Sequence, residues 1–152
     1  MDEQAGVLAA QMTPLVAGIE ECRLLQTVPG IAEVLAGAIF AEIGSIERFE
    51  SAEALVGYCG LDPEVSDSGE SQGGGELTRR GNSWLRWALM MAARHFPCKA
   101  TEELSLRKWY YRLVLSGKHI NTARCALARR LVHVIFAMLR DGSEFDPTRL
   151  AA

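Results

Sequence analysis

The sequence has no long hydrophobic run and no basic N-terminus. No apolar stretch in its 152 residues approaches the ~18 to 20 residues that a membrane-spanning helix requires. The chain begins with Asp2 and Glu3, where a secretory signal would carry positive charge. These absences argue against a membrane span and against an export signal, so we expect a cytoplasmic protein.

Cysteine is scarce and dispersed along the chain. No two cysteines form a CxxC pair, and none has a histidine at zinc-finger spacing; the four are Cys22, Cys59, Cys98 and Cys125. Cytosolic thiols are kept reduced, and free cysteine is commonly buried. We therefore predict four reduced, structural thiols rather than disulfides or a metal site.

Basic side chains are almost absent from the first half of the chain. Residues 1–78 contain two arginines against fourteen acidic residues, a net charge of −12. Residues 79–130 reverse this, with twelve lysines and arginines against two glutamates, a net charge of +10. The total charge of −3 hides this polarity. A basic half can be a solvated helix surface, or it can bind a polyanion such as nucleic acid.

Most of the chain has the spacing of amphipathic helices, which predicts an all-α fold. The predicted helices cover about 3–26, 31–42, 51–60, 82–97, 101–117 and 121–141. Pro14 is predicted to break or kink the first helix, Pro97 to end the fourth, and Thr101 to cap the fifth. We expect one compact helical domain over 24–142, preceded by the end of a helical or coiled-coil connector over 1–23 and followed by a tail over 143–152.

A long Gly/Ser-rich loop interrupts the helices between Leu61 and Gly81. It contains Pro63, several serines and three consecutive glycines at 73–75, a composition that cannot support a regular helix. Loops of about twenty residues are uncommon in compact domains and are usually functional or disordered. This segment is therefore the first place to look for a site.

A second candidate site is the Val28-Pro29-Gly30-Ile31 turn between the first two helices. It is similar to a helix-hairpin-helix turn, which presents backbone N–H groups to a DNA phosphate. Ala32 stands where that motif usually has a second glycine, and Glu33 stands where a basic residue would help. Phosphate binding near Gly30 and a purely structural turn are both open.

One set of motifs is specific. The segment Gly-Leu-Asp-Pro at 60–63 is followed by Ser68-Gly69, then by Leu-Thr-Arg-Arg-Gly-Asn at 77–82 and Leu85-Arg86. Together these motifs resemble the C-terminal domain of insertion-sequence transposases of the one-ten type, the 110/116/902 family. The resemblance extends upstream through the Pro-Gly-Ile turn, Ala-Glu-Ile-Gly at 41–44 and Arg48-Phe49, and covers roughly residues 24–93.

The resemblance implies a function. Members of that family combine a RuvC-like domain, which holds a divalent metal such as magnesium on carboxylates, with a coiled coil and a C-terminal domain that supplies a serine nucleophile. Ser68 matches that serine. The implied partners are DNA, a structured guide RNA and further transposase subunits in a homo-oligomer. The chain has no room for the RuvC-like domain and its metal, so we expect a truncated gene, a split subunit or an excised fragment that is inactive alone and carries no cofactor.

Several residues could contact nucleic acid. Arginines can grip phosphates, and the turn glycine and the asparagine belong to the motifs above. The predicted contacts are Gly30, Arg79, Arg80, Asn82, Arg86, Arg124, Arg129 and Arg130. Aromatic residues lie among these basic residues and could stack on unpaired bases, although their helical spacing favours a place in the core; they are Trp84, Trp87, Trp109, Tyr110 and Tyr111.

Two alternatives to a transposase domain stay open. The chain could be a non-enzymatic helical module that binds nucleic acid, in which Ser68 is only a turn residue. It could also be a degenerate transposase remnant, since Glu70 and Glu76 make the loop acidic. The first alternative predicts salt-sensitive binding without a role for the serine, and the second predicts no binding.

Overall fold

A computed structural model of the chain describes residues 2–63 and 81–150. These residues form helices and no strand, which confirms the all-α prediction. The α-helices are α1 (Asp2–Ala17), α2 (Glu20–Leu25), α3 (Glu33–Ile43), α4 (Ala52–Cys59), α5 (Ser83–Lys99), α6 (Ser105–Leu115) and α7 (Ile120–Asp141), with short 3-10 turns at Ile46–Arg48 and Pro147–Leu150. Most of the predicted Gly/Ser-rich loop lies outside the described residues.

Helix α7 forms the centre of the core. Its Leu127, Leu131 and Ile135 recur every four residues and are fully buried. Helices α2, α4, α5 and α6 all pack against α7, while α3 packs on α5 and α1 packs on α3. Full burial of a side chain of this size contributes about 1.5–3 kcal/mol. The domain is therefore held together by its last long helix.

Local signals set several helix ends as predicted. The Ser51 hydroxyl accepts a hydrogen bond from the Ala54 N–H at 3.1 Å at the start of α4. The side-chain oxygen of Asn82 accepts one from the Leu85 N–H at 3.0 Å at the start of α5. Gly60 and Gly142 end α4 and α7 in the left-handed conformation. These predicted boundaries are confirmed.

The predicted break at Pro14, helix end at Pro97 and cap at Thr101 were wrong. Pro14 lies inside α1, and the interruption follows Ala17. Pro97 is buried within α5, which continues to Lys99. Proline disturbs mainly the turn that precedes it, so one more turn of helix can follow. Thr101 does not cap α6; its carbonyl accepts from the Leu104 N–H at 3.1 Å in a turn before that helix.

No disulfide joins any of the four cysteines. Cys22 and Cys59 are buried, whereas Cys98 is exposed and Cys125 is half-buried. Within 2–63 and 81–150, no group of three or more histidine, cysteine or acidic side chains could hold a metal ion. No helix in these ranges is long and apolar enough to cross a membrane.

Candidate nucleic-acid interface

Four residues from three other parts of the chain meet around Tyr58 of α4. They are Glu42 at the end of α3, Arg48 at the end of the following 3-10 turn, Phe49 directly after it and Asn82 before α5, and we call the five together the Tyr58 cluster. The centres of the Phe49 and Tyr58 rings lie 5.2 Å apart, and the Arg48 guanidinium lies 5.5 Å from the centre of the Tyr58 ring. Arg48 also donates to the Ile43 carbonyl at 2.8 Å. The cluster thus joins α3, α4 and the start of α5.

Asn82 links this cluster to α5. Its side-chain NH₂ donates to a Glu42 carboxylate oxygen at 2.6 Å and lies 3.2 Å from the Tyr58 hydroxyl. Its backbone N–H donates to the Tyr58 carbonyl at 2.8 Å, while its side-chain oxygen caps α5. Asn82 therefore positions the start of α5, and its direct contact with nucleic acid stays a prediction.

Two glycines close the base of the segment that precedes α5. Gly81 has φ +125°, and a Cβ added there would lie 2.7 Å from the Gly60 nitrogen and 2.9 Å from the Tyr58 carbonyl oxygen. Only glycine permits this backbone approach. The chain leaves the described part after Pro63 and returns at Gly81. Ser68, Arg79 and Arg80 lie between those points, outside the described residues, so their roles stay predictions.

Arg86 lies half-buried on the first turns of α5, close to Cys59. Burial raises the pKa of the Cys59 thiol to about 12; the positive charge of Arg86 opposes this shift and the negative charge of Asp62 adds to it. The thiol therefore stays protonated at neutral pH and offers no nucleophile. Arg86 therefore places its positive charge near Cys59, next to the contact between Gly60 and Gly81.

The predicted arginines of α7 point in different directions. Arg130 is exposed, and its guanidinium lies 4.0 Å from the centre of the Trp109 ring of α6. Arg124 is half-buried, and its buried Nε has no hydrogen-bond partner among the described residues. Arg129 lies beside Cys125. Because successive residues of a helix turn by about 100°, these arginines do not form one stripe.

A second basic group on α6 was not among the predicted contacts. Arg107 lies 5.3 Å from the centre of the Tyr111 ring, and Lys108 and Arg112 line the same shallow groove. Lys108, Tyr111 and Arg112 are exposed. The sequence analysis counted these residues among the basic ones, but it did not place them together on one face of α6.

The Pro-Gly turn is packed into the fold. Gly30 has φ +91°, and an added Cβ would lie 2.7 Å from the Phe96 nitrogen of α5. The Ile31 N–H donates to the Val28 carbonyl at 3.1 Å, which closes the turn. The Thr27 hydroxyl accepts from the Phe145 N–H at 2.9 Å. Packing alone therefore accounts for the glycine, and phosphate binding at Gly30 stays a prediction.

The aromatic residues divide between core and surface. Tyr110 is buried, as the helical spacing favoured, and Trp109 is half-buried beneath Arg130. In contrast, Trp84 is 71% exposed and Trp87 is 50% exposed on α5. For these two residues the expected place in the core was wrong, because α5 buries its other face.

The family model described as "Transposase IS116/IS110/IS902 family" matches residues 22–107, more than half of the chain. The chain belongs to this transposase family. The match begins at α2 and ends in α6, so it includes the Pro-Gly turn, the whole Tyr58 cluster and the Gly60–Gly81 contact. The residues that hold the start of α5 in place therefore lie within the range that matches the family.

Three proteins illustrate what the chain is similar to. An uncharacterized 43.6 kDa protein of insertion element IS110 from Streptomyces coelicolor is 33% identical over 95% of this chain and 35% of the relative. The transposase of insertion sequence IS1111A from Coxiella burnetii is 25% identical over 91% of this chain and 38% of the relative. The pilin gene-inverting protein of Moraxella bovis is 30% identical over 81% of this chain and 38% of the relative. The chain spans little more than a third of the length of these relatives.

Replacing Asn82 with alanine is expected to destabilise the domain by ~2–3 kcal/mol. The change removes a helix cap, worth ~1 kcal/mol, and leaves the half-buried Glu42 carboxylate without its donor, at a further ~1–2 kcal/mol. Urea unfolding followed by circular dichroism would measure the loss. Ser51→Ala, which removes only a cap from α4, is the matched control. Equal losses in the two variants would show that the Glu42 bond contributes nothing.

Proposed function

We propose that this chain is the DNA-engaging domain of an insertion-sequence transposase and contributes Ser68 as nucleophile to DNA recombination. The observation that carries the proposal is the family match over residues 22–107. This range contains the Ser68 segment, the Tyr58 cluster and the contact between Gly60 and Gly81. The pilin gene-inverting relatives support recombination as the general reaction. DNA is the proposed substrate.

The proposed chemistry is a transesterification. The Ser68 oxygen forms a bond to a DNA phosphorus atom as the bond between that phosphorus and a deoxyribose oxygen breaks, and the serine proton passes through a base to the departing oxygen. Attack by a hydroxyl of another strand reverses the step and restores the serine, so strands exchange without an external energy source. A serine hydroxyl needs activation for this reaction, and cationic groups stabilise the charge on the phosphate.

This chain supplies the cations. In the sequence, Arg79 and Arg80 lie between Ser68 and the start of α5, and Arg86 follows in the first turns of α5. The activating base and the divalent metal are assigned to a RuvC-like domain, joined in the same polypeptide or supplied by another subunit. A structured guide RNA and a homo-oligomer complete the proposed assembly. The isolated chain is therefore expected to bind DNA without cleaving it.

The basic residues 79–130 supply the proposed contact with phosphates. They carry a net charge of +10, and the guanidinium groups of the half-buried Arg107 and the exposed Arg130 lie over the rings of Tyr111 and Trp109. Arginines held by stacking lose less freedom on binding, which favours affinity. Binding to phosphates releases counterions, so affinity should fall steeply with salt.

A salt series with duplex DNA and structured RNA tests the proposal. The affinity of the isolated chain is expected to fall as a power of salt concentration, and Arg79→Ala/Arg80→Ala should lower the slope by about 2, one for each phosphate that is no longer neutralised. Arg23→Ala/Arg149→Ala removes two cations that are paired with acidic side chains and is the matched control. Absence of binding at low salt would contradict the proposed function. Equal salt dependence of the affinity in the two variants would show that Arg79 and Arg80 do not contact phosphates.

A further inference from the structure

Helix α5 presents large aromatic side chains to solvent. Its inward face carries Leu85, Leu89 and Phe96, all buried. On another face, Trp84 is 71% exposed and Trp87 is 50% exposed. Residues three apart are neighbours on a helix surface, so the two indoles lie side by side. Two adjacent tryptophans at this exposure form an apolar patch that folding does not require.

The start of α5 is held in place by the rest of the fold. Asn82, two residues before Trp84, is bound to Glu42 and Tyr58, and Gly81 contacts the backbone of Gly60. The indoles therefore project from a fixed turn of helix, directly after the segment that carries Ser68. A surface that is already ordered loses little freedom when it binds a ligand.

The charge of α5 itself fits an anionic ligand, and the Glu42 carboxylate at the start of the helix already accepts a hydrogen bond from Asn82. Helix α5 contains no acidic residue over its whole length, and its charged groups are Arg86, Arg94 and Lys99. The N-terminus of a helix adds partial positive charge at the end where Trp84 lies. A ligand that combines flat apolar faces with negative charge matches this surface, and nucleotides have both.

The third tryptophan lacks this capacity. Trp109 is half-buried, and the Arg130 guanidinium lies 4.0 Å from the centre of its ring, so one ring face is already covered.

The same requirement for an uncovered face applies to the ligand. Bases inside an intact duplex have both faces covered by their neighbours. Only a base that has left the stack can offer a face to Trp84 or Trp87.

We propose that Trp84 and Trp87 form a stacking platform for unpaired nucleotide bases at the start of α5, the helix that follows the Ser68 segment in the sequence. This inference rests on the proposed function and specifies its substrate: nucleic acid with unpaired bases, rather than continuous duplex. Strand exchange requires that bases leave one partner before they pair with another. The platform would hold such bases during that interval.

Tryptophan fluorescence provides the probe. In a Trp109→Phe background, the remaining indole emission comes from Trp84 and Trp87. Titration with an oligothymidylate of about twelve nucleotides is expected to quench this emission, because stacked bases contact the rings directly. A fully base-paired duplex at the same phosphate concentration should bind with much less quenching. Equal quenching by both ligands would contradict stacking on unpaired bases.

Binding by variants gives a second, independent readout. Trp84→Ala/Trp87→Ala is expected to weaken binding of the oligothymidylate by at least about tenfold while duplex affinity changes less than about twofold. Trp84→Phe/Trp87→Phe should retain most of the affinity, because phenylalanine also stacks. Leu15→Ala, at a residue 70% exposed on α1, is the control for loss of exposed apolar surface.

The possible results separate this inference from the proposed function. If the wild-type chain binds neither ligand at low salt, both fail. If it binds both ligands and the alanine variant behaves like the wild type, or loses affinity for both equally, only the stacking platform fails. A change in sedimentation mass caused by the alanine variant without nucleic acid would show that the indoles contact a second copy of the chain, which also overturns the platform.

Discussion

Replacing Gly30 with alanine is expected to destabilise the domain by at least ~3 kcal/mol. A non-glycine residue at φ +91° costs about 1–2 kcal/mol. The new Cβ would also lie 2.7 Å from the Phe96 nitrogen, in the backbone of α5, where no side chain can rotate away. Relieving such overpacking typically costs a further ~1–3 kcal/mol. Chemical unfolding followed by circular dichroism would give the free energy directly.

Gly117 offers a nearly ideal control for this measurement. Its φ of +90° equals that of Gly30 within one degree, but nothing lies within 4 Å of an added Cβ. Gly117→Ala should therefore show the backbone cost alone, about 1–2 kcal/mol. The difference between the two variants isolates the contact between the Pro-Gly turn and α5. If the two losses are equal, the turn is not packed against Phe96 as described.

Replacing Ser68 with alanine is expected to abolish strand cleavage in a transposase reconstituted from this chain and a RuvC-like domain. The proposed phosphoserine bond to DNA cannot form without the hydroxyl. Removal of a covalent nucleophile commonly lowers the rate by more than a thousandfold. Cleavage can be followed on denaturing gels, and the covalent intermediate by its resistance to detergent. Binding to duplex DNA should change less than about twofold, because a neutral side chain contributes no counterion release.

Ser71→Ala provides the comparison within the same segment. It removes an equal hydroxyl three residues away and should cleave at the wild-type rate. Unchanged cleavage in Ser68→Ala would exclude Ser68 as the nucleophile and would favour a non-enzymatic nucleic-acid-binding module. Loss of cleavage in both variants would mean that the segment depends on its hydroxyls for shape rather than for chemistry.

Features that depend on neighbours along the chain could be predicted from the sequence. The predicted helix starts near 51 and 82 and helix ends near 60 and 141 were correct. The caps of Ser51 and Asn82 and the left-handed Gly60 and Gly142 set these boundaries through hydrogen bonds or backbone angles within a few residues. The all-helical fold followed from apolar spacing in the same way. The family resemblance rested on short motifs, and the match over residues 22–107 confirms it.

Features that depend on distant contacts could not be predicted. The role of Tyr58 requires residues from α3 and α5 that lie 16 and 24 positions away. Nothing near Gly30 in the sequence indicates that Phe96 lies against it. The exposure of Trp84 and Trp87 was missed because α5 has apolar residues on more than one face, and periodicity alone does not identify which face the core covers.

The contact between Gly60 and Gly81 brings together two points that are far apart in the sequence. Gly60 ends α4, and Gly81 comes directly before the cap of α5, so the contact joins the end of one helix to the start of another. A side chain at position 81 would push the two backbones apart and would displace both helix termini. A single substitution there would therefore act on two helices at once.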